Sequence, residues 1–410
     1  MTNNDNSRES VYLDEDVSVD DNNTIQVFDK WEDYNLKTEL LRGIYSAGWE
    51  APSFIQKTSI KPILDGRDVR AQAQSGTGKT GAFAVGSLQK VDMSIKKTQI
   101  LVLVSTREIA EQNATRMEEI GQHLGVKIPY LVGGISTKQS IQDIADYPQI
   151  VTGTPGRVFH MIDCGALKTD DIKLLIIDEA DEMLKKGFID QVKEIFMKLP
   201  KDKLQVAMYS ATWGKEELDI ADDILLNPVK IDLRQDKQTL KGIDQYYVNI
   251  GEKPSRGEDI LKTEVLMDIF SKSEVGQSVI FVNTKSKAKF LYDTLTRNKF
   301  PCSVVHSDLN QNERTDVLNK FRRGETRCLV STGLMGRGID VQQLSVVFNF
   351  DIPSLDDKNS YIHRIGRAGR YGRKGVAVNI IFNNELETVN AIERHFHTAI
   401  HPLPKNFNLK

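Results

Sequence analysis

The chain has 410 residues, of which 40% are hydrophobic, and at about 150 residues per domain this length suits two globular domains. Its 54 basic and 57 acidic residues nearly cancel, so a polyanion has to be bound by local patches and backbone amides. No stretch approaches the ~18 apolar residues of a membrane span, and the polar, acidic first residues are unlike a secretory signal. Three widely spaced cysteines, Cys164, Cys302 and Cys328, argue against a disulfide framework or a structural zinc and favour a reducing intracellular compartment.

Short apolar runs alternate with amphipathic stretches in the first half of the chain. Residues 1–24 precede these stretches and contain seven acidic residues, one basic residue and few large apolar groups. This composition predicts a disordered acidic tail. Over 25–233, the predicted strands are 99–104, 150–152, 173–177 and 205–209. Such alternation is typical of a parallel sheet covered by helices.

A glycine-rich loop lies between an apolar run and a helix-forming stretch of this first half. Its residues are Ala73, Gln74, Ser75, Gly76, Thr77, Gly78, Lys79 and Thr80. The glycines let backbone N–H groups close around phosphate, Lys79 adds a positive charge, and Thr80 offers a hydroxyl to Mg²⁺. Because Ala73 replaces the first glycine of the usual pattern, the loop alone is also compatible with an ordinary strand-to-helix turn.

An acidic quartet, Asp178-Glu179-Ala180-Asp181, follows the apolar run 174–177. Alone, such a quartet is more typical of a solvated turn. At the end of a buried strand, however, Asp178 can hold a metal ion through water, and Glu179 can orient and deprotonate a water that attacks a γ-phosphate. Together, the loop and the quartet predict a nucleoside triphosphate site.

The second half repeats the alternating architecture without a phosphate loop. A polar segment, 234–242, is predicted to be a linker, and 243–410 to form the second domain. Its predicted elements are strands at 278–282, 303–306, 328–331, 345–350 and 376–382 and a helix at 285–298. The arginines of the run 363–370 could neutralise a transferring phosphoryl group from across a cleft. A solvated basic turn is the alternative.

The order of these motifs resembles that of the DEAD-box ATP-dependent RNA helicases from about residue 31 to residue 382. Further motifs of that family in the first half are Gly48-Trp49 with Pro52, Ile55 and Gln56, then Thr106-Arg107-Glu108, Gly133-Gly134, Thr154-Pro155-Gly156-Arg157 and Ser210-Ala211-Thr212. The second half adds Phe281-Val282-Asn283-Thr284, Gln311 with Arg314, Ser331-Thr332 and Arg337-Gly338-Ile339-Asp340. Segments 41–45 and 239–243 are most similar to the translation initiation factor 4A group of the family. The resemblance implies an α/β fold of two tandem RecA-like domains, each a mostly parallel sheet flanked by helices.

The resemblance also implies an ATP site that both domains share. Gln56 lies where the family reads adenine, and a carboxamide can pair with the N6 donor and the N7 acceptor of that base. Trp31 matches an upstream aromatic that stacks on adenine, with a core tryptophan as the alternative. Asp340 matches a contact to the ribose hydroxyls. The catalytic residues would be Lys79, Asp178, Glu179, Arg367 and Arg370, with ATP and Mg²⁺ as cofactors and Thr80 and Asp178 at the metal.

Two further sets of residues match the family. The first would couple the acidic quartet to domain closure and consists of Asp181, Ser210, Thr212 and His363. The second would hold an RNA sugar-phosphate backbone and consists of Thr106, Arg107, Gly134, Thr154, Gly156, Arg157, Asn283, Arg314 and Thr332. Hydroxyls, guanidinium groups and helix N-terminal amides at phosphates give sequence-independent binding, and contacts to 2′-hydroxyls favour RNA over DNA.

The chain departs from the family pattern at four positions. Ser105 replaces the usual proline, Ser307 a glycine and Gly336 an alanine, and we expect small effects from these changes. Gly333 stands where the family has an aspartate, which predicts weaker coupling between RNA binding and ATP hydrolysis. Gly333→Asp should therefore raise the RNA-stimulated ATPase rate, and an unchanged or lower rate would contradict this interpretation.

The sequence thus predicts an RNA-dependent ATPase that binds single-stranded RNA and locally unwinds short duplexes or remodels RNA–protein complexes, with translation initiation as one pathway. The alternatives are an ATP-gated RNA clamp that serves as a binding platform with little unwinding, and a processive DNA translocase. We expect a cytoplasmic monomer without a membrane partner, the nucleus being the other compartment, and protein partners that modulate domain closure.

Overall fold

The computed structural model describes residues 18–19, 26–73, 76–185, 187–233, 243–273, 275–332, 344–368, 375–404 and 407. These residues form two sheets flanked by helices. The strands of the first sheet are β1 (Ser18–Val19), β2 (Val69–Gln72), β3 (Ile100–Leu103), β4 (Tyr130–Leu131), β5 (Ile150–Gly153), β6 (Leu174–Asp178), β7 (Gln205–Ser210) and β8 (Val229–Asp232). Their order is β1-β8-β2-β7-β6-β3-β5-β4, and every neighbouring pair is parallel except β1 with β8.

The second sheet is parallel throughout its described strands. These are β9 (Ile243–Asn249), β10 (Ser278–Val282), β11 (Cys302–Val305), β12 (Cys328–Thr332), β13 (Val346–Asn349), β14 (Gly375–Ile381) and β15 (His401–Pro402). Their order is β11-β12-β10-β13-β14-β9-β15. The α/β fold of two tandem, mostly parallel sheets is therefore confirmed.

Helices flank both sheets. Those of the first domain are α1 (Thr38–Ser46), α2 (Phe54–Leu64), α3 (Lys79–Lys90), α4 (Arg107–Gly121), α5 (Thr137–Asp143), α6 (Pro155–Asp163), α7 (Ala180–Met183), α8 (Ile189–Met197) and α9 (Lys215–Ile224). Those of the second are α10 (Glu258–Lys272), α11 (Lys285–Arg297), α12 (Gln311–Arg322), α13 (Lys358–Ile365) and α14 (Leu386–Phe396). In the described part of the chain, no helix has the length and apolar character needed to cross a membrane.

The central strand β6 explains why apolar runs mark this fold. All five of its residues are buried, and neighbouring side chains enter different cores, with Ile176 in one and Ile177 in the other. A parallel strand covered on both faces has no polar face, so it appears in the sequence as a continuous apolar run. The strand ends at Asp178, which places the acidic quartet at the carboxyl edge of the sheet.

Of the predicted tail and linker, the structure describes only two residues of the tail. Within residues 1–24, Ser18–Val19 pairs antiparallel with β8, and the other residues of that segment lie outside the described residues. The predicted linker 234–242 also lies outside them. In the chain, the strands of the first sheet precede this segment and those of the second sheet follow it. The domain boundaries remain predictions.

Candidate active site and RNA groove

A cleft of about 720 Å³ lies between the two domains at the carboxyl edge of the first sheet. The first domain contributes Gln56, Asp178, Glu179 and residues of the phosphate loop, and the second contributes His363 and Arg367. The lining residues of the loop are Gly76, Thr77, Gly78, Lys79 and Thr80. Gln74, Ser75, Asp340 and Arg370 lie outside the described residues. The remaining predicted cofactor residues are thus placed in one cleft, apart from Trp31 and Ala73, which do not line it.

The phosphate loop has the backbone conformation that its glycines allow. Gly76 and Gly78 have φ of 84° and 105°, a left-handed region that L side chains rarely adopt. A Cβ atom on Gly78 would lie 2.6 Å from the Ser53 hydroxyl, so a larger residue would disrupt the loop. Because α3 begins at Lys79, its free N-terminal amides open into the cleft and suit an anion.

Lys79 lies beside this helix start. Its Nζ donates to the carbonyl of Ala73. Burial lowers the pKa of Lys79, and the nearby carboxylates, Asp178 foremost, oppose that shift. The half-buried side chain therefore supplies a positive charge to an incoming phosphate.

Asp178 is 5% exposed at the end of β6. Burial, reinforced by Glu179, raises its pKa to about 6, and Lys79 and Asn113 act in the opposite direction. Asn113 of α4 donates from Nδ2 to Oδ2 of Asp178 over 3.2 Å, and its Oδ1 accepts from the Thr80 hydroxyl over 3.4 Å. One buried amide thus joins the two residues that were predicted to hold the metal.

Glu179 follows with a φ of 53° and occupies the N-cap position of α7 without a capping hydrogen bond from its side chain. Its Oε2 accepts a hydrogen bond of 2.6 Å from the Ser105 hydroxyl. Ser105 therefore holds the glutamate that is predicted to activate water, although we expected only a small effect from serine in place of proline at this position.

Two tryptophans, Trp31 and Trp49, correct one expectation. Trp31 is fully buried in the first-domain core, and its indole Nε1 donates to the carbonyl of Trp49 over 3.0 Å. Trp49 lines the cleft, whereas Trp31 does not. The core alternative therefore describes Trp31, and Trp49 supplies the aromatic surface.

Gln56 lines the cleft and links two local structures. Its Oε1 accepts from the backbone N–H of Ser53 over 2.7 Å, which completes a capping box at the start of α2. Its Nε2 donates to the carbonyl of Gly78 over 3.3 Å. The same amide therefore fixes a helix start and contacts the phosphate loop.

A buried hydrogen bond joins the domains beside the cleft. His363 Nε2 lies 3.0 Å from Asp181 Oδ2, and the two side chains are only 4% and 3% exposed. The same oxygen accepts from the Thr212 hydroxyl over 2.7 Å, and the Ser210 hydroxyl accepts from the Asp181 amide over 3.2 Å. The four residues predicted to couple the quartet to closure are thus in one network.

Arg367 completes the second-domain wall of the cleft. It is 5% exposed, and its Nε donates to the carbonyl of His363 over 3.2 Å. Burial of a permanently charged guanidinium is costly unless anionic groups face it, and the cleft that it lines also contains Asp178 and Glu179.

A second groove of about 560 Å³ also lies between the domains. Among the residues predicted to hold RNA, those that line it are Thr106, Arg107, Thr154, Gly156, Arg157 and Arg314. Thr106 and Thr154 are the N-cap residues of α4 and α6, so two helix N-termini open into this groove. Burial, Arg314 and Arg157 lower the pKa of Arg107, and Glu108 opposes that shift. The groove contains three arginines, Arg107, Arg157 and Arg314, against two glutamates, Glu108 and Glu182, and we call it the basic groove. Such a surface suits a polyanionic backbone.

Three other predicted RNA residues do not line this groove. Gly134, with φ of 87°, packs so closely that a Cβ atom would lie 2.3 Å from Nη1 of Arg107. Asn283 donates from Nδ2 to the Ile352 carbonyl over 3.1 Å, and its Oδ1 accepts from Arg364 over 2.9 Å. Thr332 ends β12. Gly134 and Asn283 are exposed but do not line this groove, so their assignment as RNA contacts remains a prediction.

Sequence reasoning missed several residues of both sites. It assigned no role to Trp49, Asn113 or Glu108. Oε1 of Glu108 lies 3.6 Å from Nη1 of Arg314, across the domain boundary. Asn113 lies seven residues after Thr106, on the same face of a helix, so periodicity could have indicated it. The position of Glu108 depends on how the domains meet.

Comparisons with known proteins agree with this arrangement. The DEAD/DEAH box helicase family matches residues 53–220, and the helicase conserved C-terminal domain matches residues 261–372. The ATP-dependent RNA helicase eIF4A of Encephalitozoon cuniculi is 55% identical over 389 residues, which cover 93% of this chain and 92% of that protein. Eukaryotic initiation factor 4A of Caenorhabditis elegans is 44% identical, covering 93% and 92%.

Solved structures show the same architecture. S. cerevisiae Dbp5 bound to RNA and ADP BeF3 has a TM-score of 0.84 and 32% identity, covering 92% of this chain and 95% of that one. Mss116p bound to single-stranded RNA and AMP-PNP has a TM-score of 0.81 and 26% identity, covering 91% and 78%. Fold and site thus define a two-domain helicase ATPase. The chain belongs to the DEAD-box family of ATP-dependent RNA helicases, and the resemblance found in its motifs is confirmed.

Proposed function

We propose that the chain is an RNA-stimulated ATPase that closes on ATP and single-stranded RNA and separates short duplexes locally. One observation carries the proposal: the nucleotide cleft and the basic groove are both lined by both domains. A ligand in either place stabilises the closed arrangement, so RNA and ATP favour each other's binding. The domain limits that we assign are 25–233 and 243–410, joined by 234–242.

The predicted catalytic residues that line the cleft each have a place in γ-phosphate hydrolysis. The phosphate loop and Lys79 hold the phosphates, Glu179 orients and deprotonates the attacking water, and Arg367 stabilises charge that develops on the transferring group. Gln56 reads adenine. We assign Asp340 to the ribose and Arg370 to the phosphates on the family resemblance alone.

Mg²⁺ suits the donor set at the phosphate loop. The Thr80 hydroxyl and an Asp178 carboxylate oxygen both bond to Asn113, so two hard oxygen donors lie on either side of one amide. Mg²⁺ prefers such oxygens and is bound by one or two protein groups together with substrate phosphates. When bound with ATP, it would neutralise charge on the phosphate oxygens.

Asn113→Ala should raise the Mg²⁺ concentration needed for tight nucleotide binding by about tenfold, as expected when a partner of a metal ligand is lost. The amide now directs the Asp178 carboxylate, and alanine leaves that buried oxygen without this donor. Binding of a fluorescent ATP analogue, titrated with Mg²⁺, measures the effect. Gln139→Ala is the control, because Gln139 also donates to a carboxylate, that of Asp143, but on an exposed helix. Equal Mg²⁺ dependence in the two variants would contradict the assignment.

Recognition of RNA through its backbone follows from the groups in the groove. Hydroxyls, guanidinium groups and helix N-termini contact phosphates and sugars of any sequence. We propose that Thr106, Arg107, Thr154, Gly156, Arg157 and Arg314 make these contacts. Gly134, Asn283 and Thr332 remain assigned by resemblance. Similar helicases have been solved with bound RNA, which supports RNA as the ligand.

The proposed function is tested by comparing ATP hydrolysis with RNA, single-stranded DNA and duplex DNA, and by the unwinding of short RNA duplexes. We expect RNA to stimulate ATP hydrolysis more than either form of DNA does. We also expect the protein to separate the strands of short RNA duplexes when ATP is present. Long-lived RNA retention without unwinding would indicate the ATP-gated clamp. Stronger stimulation by DNA would indicate a translocase.

The pathway and partners are also proposals. Similarity to proteins named eIF4A supports a role in translation initiation and a cytoplasmic site of action. Gle1 and Nup159 are bound to Dbp5 in a related structure, which supports the existence of protein partners, and we propose that such partners modulate closure of this chain. Copurification of such partners with the natural chain would test the assignment.

A further inference from the structure

Ser105 lies at the boundary between the two candidate sites. It is 7% exposed and lines the basic groove together with Thr106 and Arg107. Its hydroxyl donates over 2.6 Å to Oε2 of Glu179, a residue that lines the nucleotide cleft. One side chain therefore joins the groove proposed for RNA to the carboxylate proposed to activate water.

We propose that Ser105 is a positioning residue that transmits occupancy of the RNA groove to the orientation of Glu179. The inference rests on the proposed function, since it requires that RNA occupy the groove. It also changes the expectation of a small effect at this position. The family pattern has proline at this position, and a proline side chain has no hydroxyl with which to donate to Glu179.

The local backbone gives the contact a fixed geometry. Thr106, the next residue, caps α4 by accepting from the amide of Ile109 over 3.3 Å. Ser105 is thereby tied to the helix N-terminus that opens into the groove. A phosphate bound to that N-terminus would act on the same short segment that carries the Ser105 hydroxyl.

The hydrogen bond acts on a side chain with much rotamer freedom. A glutamate has three rotatable torsions, and holding it in one arrangement requires an interaction that offsets the lost entropy. A hydroxyl-to-carboxylate bond is a strong, charge-assisted interaction. When Ser105 occupies one carboxylate oxygen, the other can accept a hydrogen bond from the attacking water.

Ser105→Ala should lower kcat at saturating RNA by about tenfold, the effect of losing one hydrogen bond to a charged group. We expect an unchanged KM for ATP and unchanged RNA affinity in the presence of a non-hydrolysable ATP analogue. Ser105→Thr keeps the hydroxyl and should restore most of kcat. The matched control is Ser94→Ala, because Ser94 donates over the same 2.6 Å to Asp92, at an exposed site.

The possible results separate the two proposals. If RNA does not stimulate the natural chain, the proposed function is wrong. If RNA stimulates both the natural chain and Ser105→Ala to the same kcat, only the role of Ser105 is wrong. If Ser105→Ala lowers kcat and also weakens the binding of ATP and RNA, Ser105 has only a structural role. That result would also overturn the inference.

Discussion

Replacing Glu179 with glutamine should abolish RNA-stimulated ATP hydrolysis while ATP binding is retained. Glutamine keeps the size of the side chain and can still contact Ser105, but it cannot take a proton from water. A positioned general base contributes about 10²–10⁴-fold to the rate, so we expect kcat to decrease by a factor in that range. Binding is retained because the phosphate loop and Lys79 hold the nucleotide.

Two measurements check this result: single-turnover hydrolysis with saturating RNA, and equilibrium binding of a fluorescent ATP analogue. Glu194→Gln is the matched control, since Glu194 is exposed on α8 and the same isosteric change there should have no effect. Substantial hydrolysis by Glu179→Gln would exclude Glu179 as the base. Loss of nucleotide binding would mean that it holds ATP instead.

Arg367→Ala should reduce kcat by about 10³-fold, the lower end of the effect of an arginine finger. The guanidinium lies on the second-domain wall of the cleft, where it can act on the transferring phosphoryl group only after the domains meet. ATP should still bind to the first domain with little change in affinity. Arg367→Lys should recover only part of the rate, because an ammonium lacks the planar fork of donors.

Steady-state kinetics in ATP, at saturating RNA, separate the effects of Arg367→Ala on kcat and KM. Arg394→Ala removes an arginine from an exposed site on α14, where it pairs with Glu387, and serves as the control. If the two variants have equal kcat, the second domain does not complete the catalytic site through Arg367.

Buried central strands were the most predictable part of the fold. The runs 173–177 and 278–282 were assigned from continuous apolar residues, and they correspond to β6 and β10, whose residues are all buried. β8 was missed, and β2 was indicated only as a run before the phosphate loop without assigned bounds, because each strand alternates between buried and half-buried residues. Their polar positions, such as Arg70 and Gln72, remove the apolar signal on which the prediction depended.

The site was predictable where a local motif fixes the chemistry. The phosphate loop and the acidic quartet form compact units, and the two together indicated the nucleotide site, although neither did so alone. The contact between Ser105 and Glu179, by contrast, spans 74 residues, and the choice between Trp31 and Trp49 depends on which indole the core encloses. Such features depend on tertiary packing and leave no periodic signal in one sequence.

The contacts between domains give the site its functional meaning. The His363–Asp181 and Glu108–Arg314 pairs form only when the second domain docks, one beside the nucleotide cleft and the other beside the basic groove. Closure therefore joins the two sites physically. The acidic quartet takes part directly, since Asp178 and Glu179 face the nucleotide cleft and Asp181 faces the second domain.

The central claim is that ATP and RNA stabilise one closed state, and RNA affinity measured with and without a non-hydrolysable ATP analogue tests it most directly. Fluorescence anisotropy of a labelled single-stranded RNA should show at least about tenfold tighter binding with the analogue, within the usual range of coupling between sites. His363→Ala should reduce that factor by removing a contact of the closed state. RNA affinity that is the same with and without the analogue would contradict the account.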